Sequence, residues 1–131
     1  MNTNLTPTEI EELRIAIAEE MGWKIENYGP KGYETLYWRL RRPDGTIREQ
    51  GCTGKDWSHK MFGLMVPPYT TSIDAIREAA MERFKSGEDA FAFHGEIIRL
   101  ECDGDKYCWQ LTALDWAIAF ARTAKIWRYK V

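Results

Sequence analysis

The stretch Leu36–Glu49, LYWRLRRPDGTIRE, restricts the fold more than any other. Leu36, Trp38 and Leu40 alternate with Tyr37, Arg39 and Arg41, the two-residue period of a strand with one face buried and one in water. Pro43-Asp44-Gly45 is turn chemistry, so a second strand returns antiparallel. A lone hairpin does not hold its apolar face out of water, so other elements must cover it.

Helices are the candidates. Thr6-Pro7-Thr8-Glu9 predicts a capping box, and Ile10, Leu13 and Ile17 recur at helical spacing up to a Gly22 stop, with Trp23 folding back on the core. Residues 24–35 read as loop, broken by Gly29-Pro30 and Gly32. Residues 51–66 read as a long shaped loop. A second helix follows VPPYTTSIDAIREAA, with Ile73, Ile76, Ala80 and Phe84 as its stripe and SGED as its end. Ile98, Leu100 and Cys102, a turn at Asp103-Gly104, then Tyr107, Trp109 and Leu111 predict a second hairpin.

The third helix runs from a Thr112 cap to about Ile126. Leu114, Ala117, Ile118 and Ala121 form one apolar face, and Ala113, Trp116, Phe120 and Trp127 another. A helix apolar on two sides is buried on two sides, and a subunit seam is one way to cover the second. The expected architecture is one α+β domain over residues 1–131, a central antiparallel sheet of hairpins with three helices.

Composition narrows the function. The 131 residues carry a formal charge of −2, which does not suit a protein that coats duplex nucleic acid. No apolar run approaches the length of a membrane span, and the polar N-terminus lacks signal-peptide character, so a cytoplasmic protein is expected. Three cysteines give no complete disulfide framework; Cys102 and Cys108 flank the second predicted turn. Two histidines without cysteine spacing predict no metal and no cofactor. The standard catalytic motifs are absent, so no enzyme is expected.

Three features suit a bound anion or nucleotide. The start of the second helix offers free N–H groups and a positive dipole end; Thr70, Thr71 and Ser72 add hydroxyls and Tyr69 a ring. The same residue types make an ordinary cap with a core tyrosine. Tyr37, Arg39, Arg41 and Arg42 form an arginine–aromatic surface, or simply a solvated strand face. Arg122 sits among apolar residues in AFARTAKIW; it either holds a ligand's anion or pairs with Asp115 one stripe away.

IAEEMGW (residues 17–23), Trp38, PPYTTSIDAIREA (67–79) and AFARTA (119–124) stand in the order seen in the phage ABA-sandwich domain family, which the chain resembles over roughly residues 10–125. The resemblance implies an α/β/α sandwich. In size and helix placement the chain also looks similar to the Thoeris anti-defence sponges of bacteriophages. These homo-oligomers sequester cyclic ADP-ribose isomers, some also cyclic oligonucleotides, in the host bacterial cytoplasm without cleaving them. Carried over, Arg122 takes the arginine place of the last-helix pattern and a role on phosphate, Tyr69 to Ser72 match the motif at the helix start, and Trp23 and Trp38 match the tryptophan places, as base-stacking or core residues. Phe120 and Ala121 stand where Ile-Cys is usual and Thr123 where Ala is usual, which leaves the pocket shape around Arg122 open. Other readings are a phage accessory module whose 51–66 loop meets a host protein, and nucleic-acid binding through the arginine face.

Overall fold

The computed structural model describes residues 5–28, 36–53, 65–104 and 106–126. Among the described residues, four α-helices and one three-stranded antiparallel sheet make a mixed α+β fold. Helix α1 (Pro7–Glu20) starts as expected: the Glu9 N–H donates to Thr6 Oγ1 at 3.2 Å, and the Thr6 N–H donates to Glu9 Oε1 at 3.1 Å. It stops at Gly22, whose φ of +102° allows the Trp23 N–H to reach the Ala18 carbonyl at 3.0 Å. Leu13, Ile15, Ile17 and Ala18 are buried.

The next residues are strand rather than loop. β1 (Lys24–Tyr28) pairs with β2 (Leu36–Arg41), with Ile25 opposite Leu40 and Glu26 opposite Arg39. Pairing with β2 determines this strand; among the described side chains of β1, Ile25 packs on the core. β3 (Ile47–Thr53) closes the expected hairpin and takes residues 51–53 out of the predicted 51–66 loop; residues 54–64 lie outside the described residues. In the turn, Asp44 Oδ1 accepts from the Thr46 N–H at 2.8 Å, and Gly45 takes a φ of +90°. Those bonds hold the Asp44 carboxyl below its ordinary pKa. Trp38 and Leu40 are buried on the inner face. Gly51 faces Trp38, and a Cβ there would lie 2.9 Å from the indole, so the ring occupies the space a side chain would need.

Helix α2 (Ile73–Arg83) buries Ile76, Ala79 and Ala80, with Phe84 directly after it. The second predicted hairpin is a helix, α3 (Gly87–Gly104), followed by a short 3-10 turn at Cys108–Gln110. The described residues therefore hold four helices where three were expected. Ile98, Leu100 and Cys102 alternate, yet Phe93, Ile97 and Leu100 recur at helical spacing and face inward, while Cys102 is an exposed free thiol. The tertiary contact of that inward stripe with Ala119 and Trp116 selects the helix.

Helix α4 (Ala113–Ala124) begins with a Thr112–Asp115 capping box and ends at Lys125, in the left-handed region at φ 59°. Its Ala117–Ala121 run is fully buried, packed among α1, α2 and α3. Ile118 and Phe120 face the main core; Ala119 meets Ile97, Leu100 and Leu111. The chain's own helices thus cover both apolar sides of α4. Trp127 lies outside the described residues. Phe84 stacks on Phe93 at 5.0 Å and meets Phe120 at 4.9 Å, and Phe93 meets Trp116 at 5.6 Å, an aromatic cluster joining three helices.

Candidate functional site

The segment leading into α2 is rigid for identifiable reasons. Pro67 and Pro68 restrict the backbone. The Tyr69 N–H donates to the Pro67 carbonyl at 2.8 Å, and the Ser72 N–H to the Pro68 carbonyl at 2.8 Å. Arg14, on the inner side of α1, donates from Nη2 to the Val66 carbonyl at 2.6 Å and from Nε to the Pro67 carbonyl at 3.1 Å. Burial lowers the Arg14 pKa, opposed by the charges of Glu11 and Tyr69. Arg14 ties the segment down, and its place within the α1 stripe was the available signal for that role.

Ser72 is the N-cap of α2, its Oγ accepting from the Ala75 N–H at 3.2 Å. Thr71 is exposed and Thr70 buried. Tyr69 is buried, and the Trp23 side chain hydrogen-bonds to it, so the indole N–H donates to the phenol oxygen. Burial raises the Tyr69 pKa, and the bond from Trp23 works against that. Both rings pack on the core, as does Trp38.

Outside this segment lies a groove of about 840 Å³. Met21, Pro43, Pro67, Tyr69, Ala75 and Ala79 give it an apolar floor. Along α2 its rim carries Asp74, Glu78 and Glu82 at four-residue steps, with Arg77 and Lys85 as cations. Lys85 Nζ lies 3.5 Å from Glu82 Oε1, and the Arg77 guanidinium sits 5.4 Å from the Trp116 ring centroid. Behind the rim, Arg83 Nε donates to Glu20 Oε1 at 3.0 Å, bracing α2 against α1 and raising the arginine's pKa.

Arg122 is elsewhere. Its side chain is 14% exposed, and Nη1 lies 3.6 Å from Glu96 Oε2 of α3. Asp115 is not its counter-ion; Asp115 caps α4 and stands 3.7 Å from Lys106 Nζ. Arg77 meets Trp116 and Phe84 meets Phe120, so α2 and α4 run in the same sense. Ser72 precedes the first contact and Arg122 follows the second, which separates them by on the order of 15 Å along the axis within one chain. The helix start and Arg122 do not share a pocket there.

The arginine face is also engaged. Arg41 pairs with Glu26 and donates to the Gly45 carbonyl at 2.9 Å; Arg42 donates to Thr46 Oγ1 at 3.2 Å. Arg39 is half-buried opposite Glu26, and Tyr37 is exposed. These arginines hold the hairpin and its turn. Among the described residues no cluster of His, Cys, Asp or Glu could hold a metal ion, and no helix is long and apolar enough to cross a membrane. No family model, curated protein or solved structure matches the chain.

Proposed function

We propose that the protein is a phage anti-defence protein that binds a cyclic nucleotide immune signal, a cyclic ADP-ribose isomer or a cyclic oligonucleotide, and holds it without cleaving it, as a homo-oligomer in the bacterial cytoplasm. The motif order shared with the ABA-sandwich domains supports this reading, which includes their α/β/α layering. The observation that carries it is the braced groove beside Tyr69. Its volume of about 840 Å³ falls within the range of roughly 300–1,000 Å³ usual for small-molecule sites. The apolar floor suits a base or ribose, and Arg77 and Lys85 suit phosphate oxygens. Arg122 would reach a ligand only at a seam with another copy, where Glu96 must give up part of its hold. A sponge acts stoichiometrically, so binding must be tight.

A second reading is favoured by Asp74, Glu78 and Glu82, which outnumber the two cations of the rim. On that reading the groove receives a basic segment of a host protein. Isothermal titration separates the two. The first predicts saturable binding of a cyclic ADP-ribose isomer or cyclic dinucleotide that is lost in Arg77→Glu and Lys85→Glu, with intact nucleotide recovered after heat denaturation. No heat with any of these nucleotides at micromolar protein contradicts it. Binding of a basic peptide, lost in Glu78→Lys, supports the second.

A further inference from the structure

Helix α3 is apolar on two sides, and the fold covers one of them. Ile97 and Leu100 are buried toward α4. Phe91, Gly95, Ile98 and Cys102 form a second stripe, spaced four, three and four residues apart along the opposite side. Phe91 is 82% exposed and Ile98 44%. Beyond the helix end, Tyr107 and Trp109 stack on each other at 4.6 Å with 65% and 75% exposure. Four of the seven exposed large apolar side chains among the described residues thus fall between positions 91 and 109, on α3 or just after it.

We propose that a second copy of the chain docks here, its α3 antiparallel to the first across a two-fold axis near Gly95. Charge argues for a copy and for that direction. Glu88 and Arg99 flank the same edge of the stripe, one toward each end. With Phe91 of one copy level with Ile98 of the other, Glu88 of each copy lies within about two residues, ~3 Å along the axis, of Arg99 in the other. Parallel pairing would put Glu88 and Arg99 of the two copies on opposite edges of the seam and give no such match, and antiparallel pairing also opposes the helix dipoles. Arg99 meets Asp103 at 3.6 Å and Glu96 at 3.9 Å on its own helix, loose surface contacts that leave its side chain 57% exposed.

Phe91 and Ile98 supply the exposed apolar centre of the contact. Gly95 lies at the crossing, where an added Cβ would meet nothing within 4 Å of its own chain. That open space lets a second backbone approach closely.

This deepens the oligomer part of the reading above and rests on it only there. The test contains no nucleotide, so its failure and the failure of nucleotide binding are separate results. Sedimentation equilibrium at micromolar protein should give at least twice the 15.3 kDa chain mass. Phe91→Glu should halve that mass with an unchanged circular dichroism spectrum. Arg99→Glu should weaken the pair, and Glu88→Arg combined with Arg99→Glu should restore it. A monomeric parent, a Phe91→Glu protein of unchanged mass, or an exchange of charges that restores nothing would overturn the proposal.

Discussion

Helices α3 and α4 both carry apolar residues on two sides, but the chain's own helices enclose both sides of α4 and only one side of α3. Three helices surround α4, so Ile118, Ala119 and Phe120 reach full burial in different directions. α3 lies against α4 on one side and leaves Phe91 and Ile98 to solvent on the other. Apolar periodicity states how many sides want cover. Topology decides which of them the chain itself can provide, and the remainder is surface for a partner.

The largest expected effect lies on the covered side. Phe120→Ala should cost about 3–5 kcal/mol in denaturant unfolding; a loss below about 1 kcal/mol would remove α4 from the centre of the core. Arg14→Ala should follow at about 2–3 kcal/mol, because two backbone carbonyls lose charged donors. Arg14→Lys should recover only part of that, since one ammonium does not reproduce the fork across Val66 and Pro67. Equal stability of the alanine and arginine proteins would mean the α2 lead-in stands without α1. Ser72→Ala should cost about 1 kcal/mol as a lost cap, whereas Thr71→Ala should stay within about 0.5 kcal/mol. The reverse order would shift the helix start by one residue.

The smallest effect concerns pH. The folded pKa of Tyr69 is raised by burial above its ordinary value near 10. Its contribution is therefore intact below pH 10 and falls away as pH rises from there through the folded value. Tyr69→Phe should flatten the alkaline decline in stability. An unchanged slope would place the phenol in water rather than under the Trp23 indole.

Local chemistry was legible. The Thr6–Glu9 box, the Thr112 cap, the Gly22 stop, the Asp44-Gly45 turn and a cap at Thr71 or Ser72 each depend on residues within one turn of chain. β1 was not legible, because Gly29-Pro30 and Gly32 made the stretch read as loop and only β2 shows that the segment is paired. α3 was misread because Ile98, Leu100 and Cys102 mimic a strand over five residues and Asp103-Gly104 mimics its turn. The longer Phe93, Ile97, Leu100 rhythm belongs to the fold. For the site, Tyr69 does border the groove, but as a buried wall. Trp23 and Trp38 went to the core, and the partner of Arg122 is Glu96, a tertiary neighbour that no sequence spacing announces. Arg14, Arg77 and the exposed Tyr107–Trp109 pair were missed for the same reason: their surroundings are made by distant elements.

The difference between the two helices is tested most directly by unfolding Phe120→Ala and Phe91→Ala proteins at low and high chain concentration. Stability that includes association depends on concentration, and stability within one chain does not. The loss in Phe120→Ala should be the same at both concentrations. Phe91→Ala should match the parent at low concentration, within about 0.5 kcal/mol, and fall below it at high concentration, where the parent gains from pairing. A loss in Phe91→Ala independent of concentration would put that ring inside the fold, and a parent whose stability ignores concentration would leave the outer face of α3 without a second copy.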